Sequence, residues 1–277
     1  MPPSATALDE WLGFARQLAD TAHALLKPAA ALRPEVEVKA DRSFVTALDA
    51  RIEARLRELI ETRYPSHGIL GEEQGARDGD AEVVWILDPI DGTAPFVAGV
   101  PVFGTLIALA VDRIPVLGVM HLPVTAQRWE GVVGRATTLD GQPVRTRRCN
   151  ELGSAILTAS NPDFFSDAER PALDVLRERT AWRIYGGCCM SYGLLAAGRT
   201  DLAIDTRLKV WDYAPFKPMI EGAGGVLSDW QGRPITLDSG AQILAAGDPA
   251  RHAEALKLVQ HRLANPNPDT PAHGHPH

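Results

Sequence analysis

The residues of this chain best suited to chemistry are oxygen anions. Asp88 and Asp91 fall in WILDPIDGTAPF (85–96), where three apolar residues run into two aspartates separated by Pro89 and Ile90. On a regular strand a spacing of three sends two side chains to opposite faces. Pro89 fixes its own φ and cannot donate to a ladder, which predicts that the strand ends there and that a turn aims both carboxylates at one point. Two anions so aimed repel each other unless a cation lies between them. Gly92 and Thr93 follow, a flexible residue and a hydroxyl where a helix can begin and offer free N–H groups to a phosphate.

Further acids stand at Asp49, at Glu72 beside Glu73, and at Asp212 beside Trp211, each where one element gives way to another. A charged carboxylate closing a buried-looking apolar run, as Asp88 does, needs pairing, hydrogen bonds or a metal. Hard oxygen ligands without His or Cys company favour Mg²⁺, Mn²⁺ or Ca²⁺ over zinc. Carboxylates from separate segments suit a site of two or more ions that clamps the attacking and leaving oxygens of a phosphoryl transfer. Taken singly, each acid is equally at home as a turn cap or a solvated surface charge. The string DPIDGT, with its turn, its two anions and its Gly-Thr amides together, is what points to metal-dependent phosphate chemistry.

The elements that must position these groups are legible in outline. Apolar positions recur at helical spacing over 5–27 and 47–63, and VVWILD (83–88) reads as a strand. FGTLIALAV (103–111), PVLGVMHLPV (115–124) and RWEGVVG (128–134) read as an antiparallel meander, with Asp140-Gly141 as a further hairpin signal. From about residue 152 strands alternate with helices: SAILTAS, PALDVLRERT, WRIYG, MSYGLLAAG, DLAID, then one helix over WDYAPFKPMIEGAGG, the strands GVLSD and QILAAG, and a final helix over 249–264 opened by Asp248-Pro249. The alternation predicts a layered α/β second half. The organisation expected is one fold over 1–264, with a metal-binding half at about 5–150 and a second half at about 151–264. The tail 265–277, NPNPDTPAHGHPH, is expected to be disordered despite His273, His275 and His277.

Composition narrows the class. The 277 residues are 45% hydrophobic and 23% charged with a net charge of −7, as expected of a soluble globular protein without the basic stripe that nucleic acid requires. No apolar run approaches the ~20 residues of a membrane span, and the N-terminus lacks the pattern of a secretory leader. Three cysteines, Cys149 and the adjacent Cys188 and Cys189, argue for a reducing compartment, the cytoplasm, and for packing roles rather than a disulfide framework.

Three blocks carry a resemblance: GEE at 71–73, DPIDGT at 88–93 and WDYAPFKPMIEGAGG at 211–225. In this order and at these distances the chain resembles the inositol monophosphatase family of Mg²⁺-dependent, lithium-sensitive phosphatases over most of residues 10–262. The resemblance implies an αβαβα sandwich, commonly a homodimer, and a small phosphorylated metabolite as substrate. It implies two or three Mg²⁺ ions, with Mn²⁺ as a substitute, on Glu72, Asp88, the carbonyl of Ile90, Asp91 and Asp212, with Asp88 bridging two of them. By the same implication the amides of Gly92 and Thr93 hold the phosphate, while Asp49 and Thr93, with the ion on Glu72, orient and deprotonate the attacking water. Gly187 and Cys188, in YGGCCMSYG (185–193), and Asp205 would lie near the sugar or alcohol.

Longer runs such as YPSHGILGEE and IEGAGGVLSDWQG are similar to the histidinol-phosphatase branch. Two positions depart from it. Cys188 stands where that branch carries a substrate-facing aspartate, and Ala94-Pro95 replaces Arg-Ser after DGT. Histidinol phosphate and inositol monophosphates lead as substrates, with a sugar bisphosphate or a 3′-phosphonucleotide as alternatives. A catalytically silent binding protein would have lost at least one ligand, and none is lost here.

Overall fold

Two β-sheets organise the chain, and the alternation of side chains along their strands divides the interior into three apolar layers. The structure, a computed structural model, describes residues 3–29, 37–38, 44–45 and 47–265. In chain order the first half comprises α1 (Ala5–Ala29), β1 (Glu37–Val38), β2 (Phe44–Val45), α2 (Ala47–Arg63), β3 (Gly68–Gly71), β4 (Gly75–Arg77), β5 (Val83–Asp91), α3 (Thr93–Ala98), β6 (Gly104–Val111), β7 (Ile114–Leu122), β8 (Gln127–Val132), β9 (Thr138–Leu139) and β10 (Gln142–Pro143). The second half adds β11 (Ile156–Ala159), α4 (Arg170–Arg179), β12 (Trp182–Tyr185), α5 (Cys188–Ala196), β13 (Leu202–Asp205), α6 (Val210–Tyr213), α7 (Phe216–Gly222), β14 (Val226–Asp229), β15 (Ile243–Ala246) and α8 (Pro249–Ala264).

The large sheet has the order β10-β9-β8-β7-β6-β5-β3-β4, the small one β12-β11-β13-β15-β14, and β1 pairs only with β2. On β5 Trp85 and Leu87 point into a core under α1 and α2, while Val84 and Ile86 point the other way, toward α5 and α7. On β13 and β15 the same period places Ala203, Ile243 and Ala245 in that middle core, and Leu202, Ile204, Leu244 and Ala246 in an outer core under α4 and α8. The layers therefore run helix, sheet, helix, sheet, helix, as the αβαβα expectation had it. The meander is present as β6 to β8, all antiparallel.

Three local outcomes differ from the sequence reading. The strand of Asp88 does not stop at Pro89 but runs to Asp91. The helix expected over 211–225 is two short ones, α6 and α7, because Pro215 has no N–H with which to continue the ladder. The segment before Asp88 forms a hairpin, β3 with β4, rather than a simple lead-in. Nearly all of the 265–277 tail, including its histidines, lies outside the described residues. Among the described residues no helix is long and apolar enough to cross a membrane.

Candidate active site

Strand pairing gathers the acids of the first half. β3 runs parallel to β5 with Gly71 beside Leu87, and the Glu72 N–H donates to the Leu87 carbonyl at 3.2 Å, so the residue after each of these two, Glu72 and Asp88, meets at one end of the sheet. Between β5 and β6 the register shifts: Asp88 lies opposite Leu106 but Asp91 opposite Gly104, three steps against two. This β-bulge turns Ile90 into the core under α1 and α2 and brings Asp91 to the side of Asp88. Thr105 Oγ1 donates to the Pro89 carbonyl at 2.8 Å and anchors the bulge. The two carboxylates thus converge because the strand is irregular, not because it ends.

Asp212 arrives from the other half. It sits on α6, held by the Lys209 N–H that donates to its Oδ2 at 2.6 Å. The segment carrying it lies directly on the large sheet over two facing glycines, Gly118 and Gly131. A Cβ on Gly118 would stand 2.1 Å from the Pro215 carbonyl oxygen, and one on Gly131 2.4 Å from Met219 N. Ligand-capable oxygens of Asp88, Asp91 and Asp212 all lie within 4.8 Å of one another.

The electrostatics of this group are those of anions crowded without a counter-ion. Asp88 is buried, and burial first, then the charges of Glu72, Asp91, Asp212 and Asp49, push its carboxyl well above the usual range. Asp212 is pushed up in the same way, by burial and then by Asp91. Asp91 is raised by burial although the Cys189 N–H, donating at 2.7 Å, pulls in the opposite direction. Among the described residues Asp88 Oδ1 is buried with no hydrogen-bond partner. A buried carboxylate oxygen in that position, among further carboxylates, fits a hard divalent cation.

A brace that the sequence reading missed positions the Glu72 loop. Glu53, fully buried on α2 one turn after Asp49, accepts from the N–H groups of Glu73 (2.7 Å) and Gln74 (3.0 Å) and from Arg57 Nε (2.8 Å). Arg57 in turn donates to the Gly75 carbonyl. Gly71 must lack a side chain because a Cβ there would sit 2.2 Å from Glu53 Oε1. The helix of Asp49 and the loop of Glu72 are thereby one rigid piece. The only signal in the sequence was the four-residue spacing of Asp49, Glu53 and Arg57, which puts all three on one helix face.

A cavity of about 570 Å³ opens over the acids. Glu72, Asp91, Gly92, Thr93 and Asp212 form its acidic end, and Ser160, Asn161, Phe164, Cys188, Thr206 and Arg207 are among the residues that enclose the rest. Gly92 has φ 82° and starts α3, a conformation that favours glycine, and a Cβ there would crowd Cys188 Sγ at 3.1 Å. The Thr93 hydroxyl donates to the Ile90 carbonyl at 3.1 Å. Asp49, nearly inaccessible on α2, contributes its charge to the Asp88 environment. Cys188 reaches the cavity, its thiol held protonated by burial and by Asp91.

Gly187 and Asp205 each adjoin residues that line the cavity, Cys188 and Thr206, without being among the lining residues themselves. Gly187 precedes α5 and packs against Ser191, where a Cβ would lie 2.2 Å from Oγ. Asp205 is buried and accepts from the Ser160 N–H (2.7 Å) and the Tyr192 hydroxyl (2.9 Å), with burial pushing its pKa up to about 7. Its neighbours Thr206 and Arg207 make the wall instead.

Comparison with known proteins places the chain in a family. Residues 7–264 match the model of the inositol monophosphatase family. Among similar proteins are the "bifunctional phosphatase IMPL2, chloroplastic" of Arabidopsis thaliana, 37% identical over 93% of this chain and 77% of that protein. Another is a histidinol-phosphatase of Mycobacterium tuberculosis, 36% identical over 80% of this chain and 88% of that one. The fold matches an inositol monophosphatase from Zymomonas mobilis with a TM-score of 0.85 at 37% identity, over 93% of this chain and 100% of that one.

Proposed function

The chain belongs to the inositol monophosphatase family and is a phosphoric monoester hydrolase, and from that premise we propose that it uses Mg²⁺ to hydrolyse a small polyol or amino-alcohol phosphate, with water as the nucleophile. The observation that carries the metal is the buried, partnerless Asp88 Oδ1 among neighbouring carboxylates. Glu72, Asp88, Asp91, Asp212 and the Ile90 carbonyl would hold two or three ions, for which Mn²⁺ can substitute. Bound ions of this kind supply positive charge at the phosphoryl group and acidify water.

The chain's own groups do the rest. The Gly92 and Thr93 N–H groups, at the start of α3 on the cavity wall, hold the phosphate oxygens. Asp49 and Thr93 orient the attacking water and take its proton. Glu53 and Arg57 keep Glu72 in place. Cys188 and the wall made by Ser160, Asn161, Thr206 and Arg207 face the leaving alcohol, and Asp205 acts on it through Ser160 and Tyr192 rather than by contact.

The substrates to compare first are inositol monophosphates and histidinol phosphate, then sugar bisphosphates and 3′-phosphonucleotides. Cys188, a neutral thiol where an ammonium would want an anion, weighs against the amino alcohol. A homodimer is proposed on β12, an edge strand exposed on both faces, with Trp182 66% and Ile184 41% accessible. The cytoplasm is proposed from the cysteine pattern. The test is phosphate release with Mg²⁺ before and after chelation, with calorimetry of the stripped protein. Release that stops on chelation, and an Asp91→Asn variant that neither takes up Mg²⁺ nor turns over, support the proposal. Release that survives chelation overturns it.

A further inference from the structure

Arg207 is an arginine in a conformation that suits glycine. It follows β13 at φ 60°, in the left-handed region where a Cβ is unfavourable. Both neighbours are pinned. The Thr206 hydroxyl donates to Glu169 Oε1 at 2.6 Å, and the Leu208 N–H donates to the Ala241 carbonyl at 3.2 Å. Both oxygens of Glu169 are occupied, since Oε1 also accepts from Gln242 at 2.8 Å and Oε2 accepts from the Ser166 hydroxyl at 2.7 Å. Glu169 is therefore not the counter-ion of Arg207, and no carboxylate among the described residues pairs with that guanidinium. The side chain is exposed, so the backbone strain is not repaid by packing.

What the conformation does achieve is placement. Arg207 lines the cavity beside Thr206 and Phe164 and is the only cation among the cavity's described lining residues. Its guanidinium carbon stands 5.9 Å from the ring centroid of Phe164, itself on the cavity wall and 40% exposed, which steadies the otherwise flexible head group. The acidic end, where the reacting phosphate belongs, is formed by other residues. A planar, permanently charged fork at the leaving-group end matches a carboxylate or a phosphate and repels an ammonium.

We infer that Arg207 is a specificity-determining residue that selects phosphomonoesters whose leaving group carries a second anionic group, a carboxylate or another phosphate. This rests on the phosphatase reading above and narrows its substrate class. A monoester with a neutral alcohol is hydrolysed at the same acidic end without that contact.

Matched substrate pairs test it: 3-phosphoglycerate against glycerol 1-phosphate, which differ only in carboxylate for hydroxymethyl, and fructose 1,6-bisphosphate against fructose 1-phosphate. In the wild-type protein with Mg²⁺ the anionic member of each pair is expected to show a KM about five- to tenfold lower, an advantage that shrinks as salt is raised. In Arg207→Gly, which relaxes the backbone at that position, the ratio within each pair is expected to fall to about one, and Arg207→Lys should restore part of it. The inference is overturned if wild-type protein does not discriminate within the pairs, or if Arg207→Gly alters both members of a pair by the same factor, which would place the guanidinium on the reacting phosphate. If wild-type protein releases phosphate from neither the neutral nor the anionic esters, the phosphatase reading falls and takes this inference with it.

Discussion

Two sets of buried carboxylates lie within this protein, and they are treated in opposite ways. Glu53 and Asp205 are surrounded by donors: a guanidinium and two loop N–H groups for the first, an N–H and a phenol for the second. Ligand-capable oxygens of Asp88, Asp91 and Asp212 lie within 4.8 Å of one another, and Asp88 keeps one oxygen with no partner among the described residues. The first set is complete as folded and holds elements in place. The second is, on the function proposed above, completed by a cation, and the mutual repulsion of its carboxylates is the property that would make it a binding site. Burial alone therefore does not mark a functional acid. What marks this group is its crowding with other carboxylates and one oxygen, Asp88 Oδ1, left without a donor among the described residues.

The comparison can be broken most decisively at Asp88. Asp88→Asn is expected to lower phosphate release by at least about 10³-fold, more than about 4 kcal/mol of transition-state stabilisation. In the chelated protein the same change should raise the melting temperature, because it removes a repelling charge. A lower metal-free melting temperature would show that the acids are not in conflict.

Glu53→Ala is the converse. It strands the Arg57 guanidinium and two loop N–H groups, and should cost about 4 kcal/mol in urea unfolding. Glu53→Gln, which keeps an acceptor, should lose less stability yet need more Mg²⁺ for half-saturation in calorimetry, since the Glu72 loop loosens. Asp205→Ala leaves the Tyr192 hydroxyl and the Ser160 N–H unpaired and should cost about 3 kcal/mol by the same measurement.

A cationic counterpart sharpens the rule. His121 is buried, its Nε2 2.9 Å from His23 Nδ1, and its Nδ1 accepts from Arg128 Nε at 3.3 Å. Asp20, paired with Arg128, and Asp140 face the same group and favour its charged form, but less strongly. Burial, then Arg128 and His23, lower the His121 pKa from 6.5 to about 4. Between those values the unfolded chain binds more protons than the folded one. The stability from neutral His121 is therefore full above about pH 6.5 and is lost as pH falls toward 4, on the order of 3 kcal/mol. Unfolding curves across that range should show the slope, and His121→Gln should flatten it.

The acids themselves were readable in advance. DPIDGT, GEE and the Asp212 block stand out because they join charge to turn-forming residues in a short span, and the helices and meander follow from apolar periodicity. The reason for convergence was not readable. Pro89 announces an interruption, but only pairing with β6 shows that the interruption is a bulge and that Ile90, not Asp91, goes to the core. The resemblance implies Asp205 near the sugar or alcohol, and nothing along the chain announces the Ser160 N–H and the Tyr192 hydroxyl that donate to it. Arg207 carried no signal, since an arginine in a loop is ordinary until its φ and its position over Phe164 are known.

The sequence by itself determined which residues carry charge, which stretches are apolar with period two or near four, and where the chain must turn, because these follow from composition and neighbours along the backbone. Tertiary structure decided which buried anions would be satisfied. The donors to Glu53 come from around Glu73 and those to Asp205 from Ser160 and Tyr192, while packing of α7 onto Gly118 and Gly131 delivers Asp212 to the β5 bulge. A hydrogen bond or a repulsion acts over a few ångströms of space, whatever the distance along the chain, so only folding assigns partners to some carboxylates and leaves others to a metal.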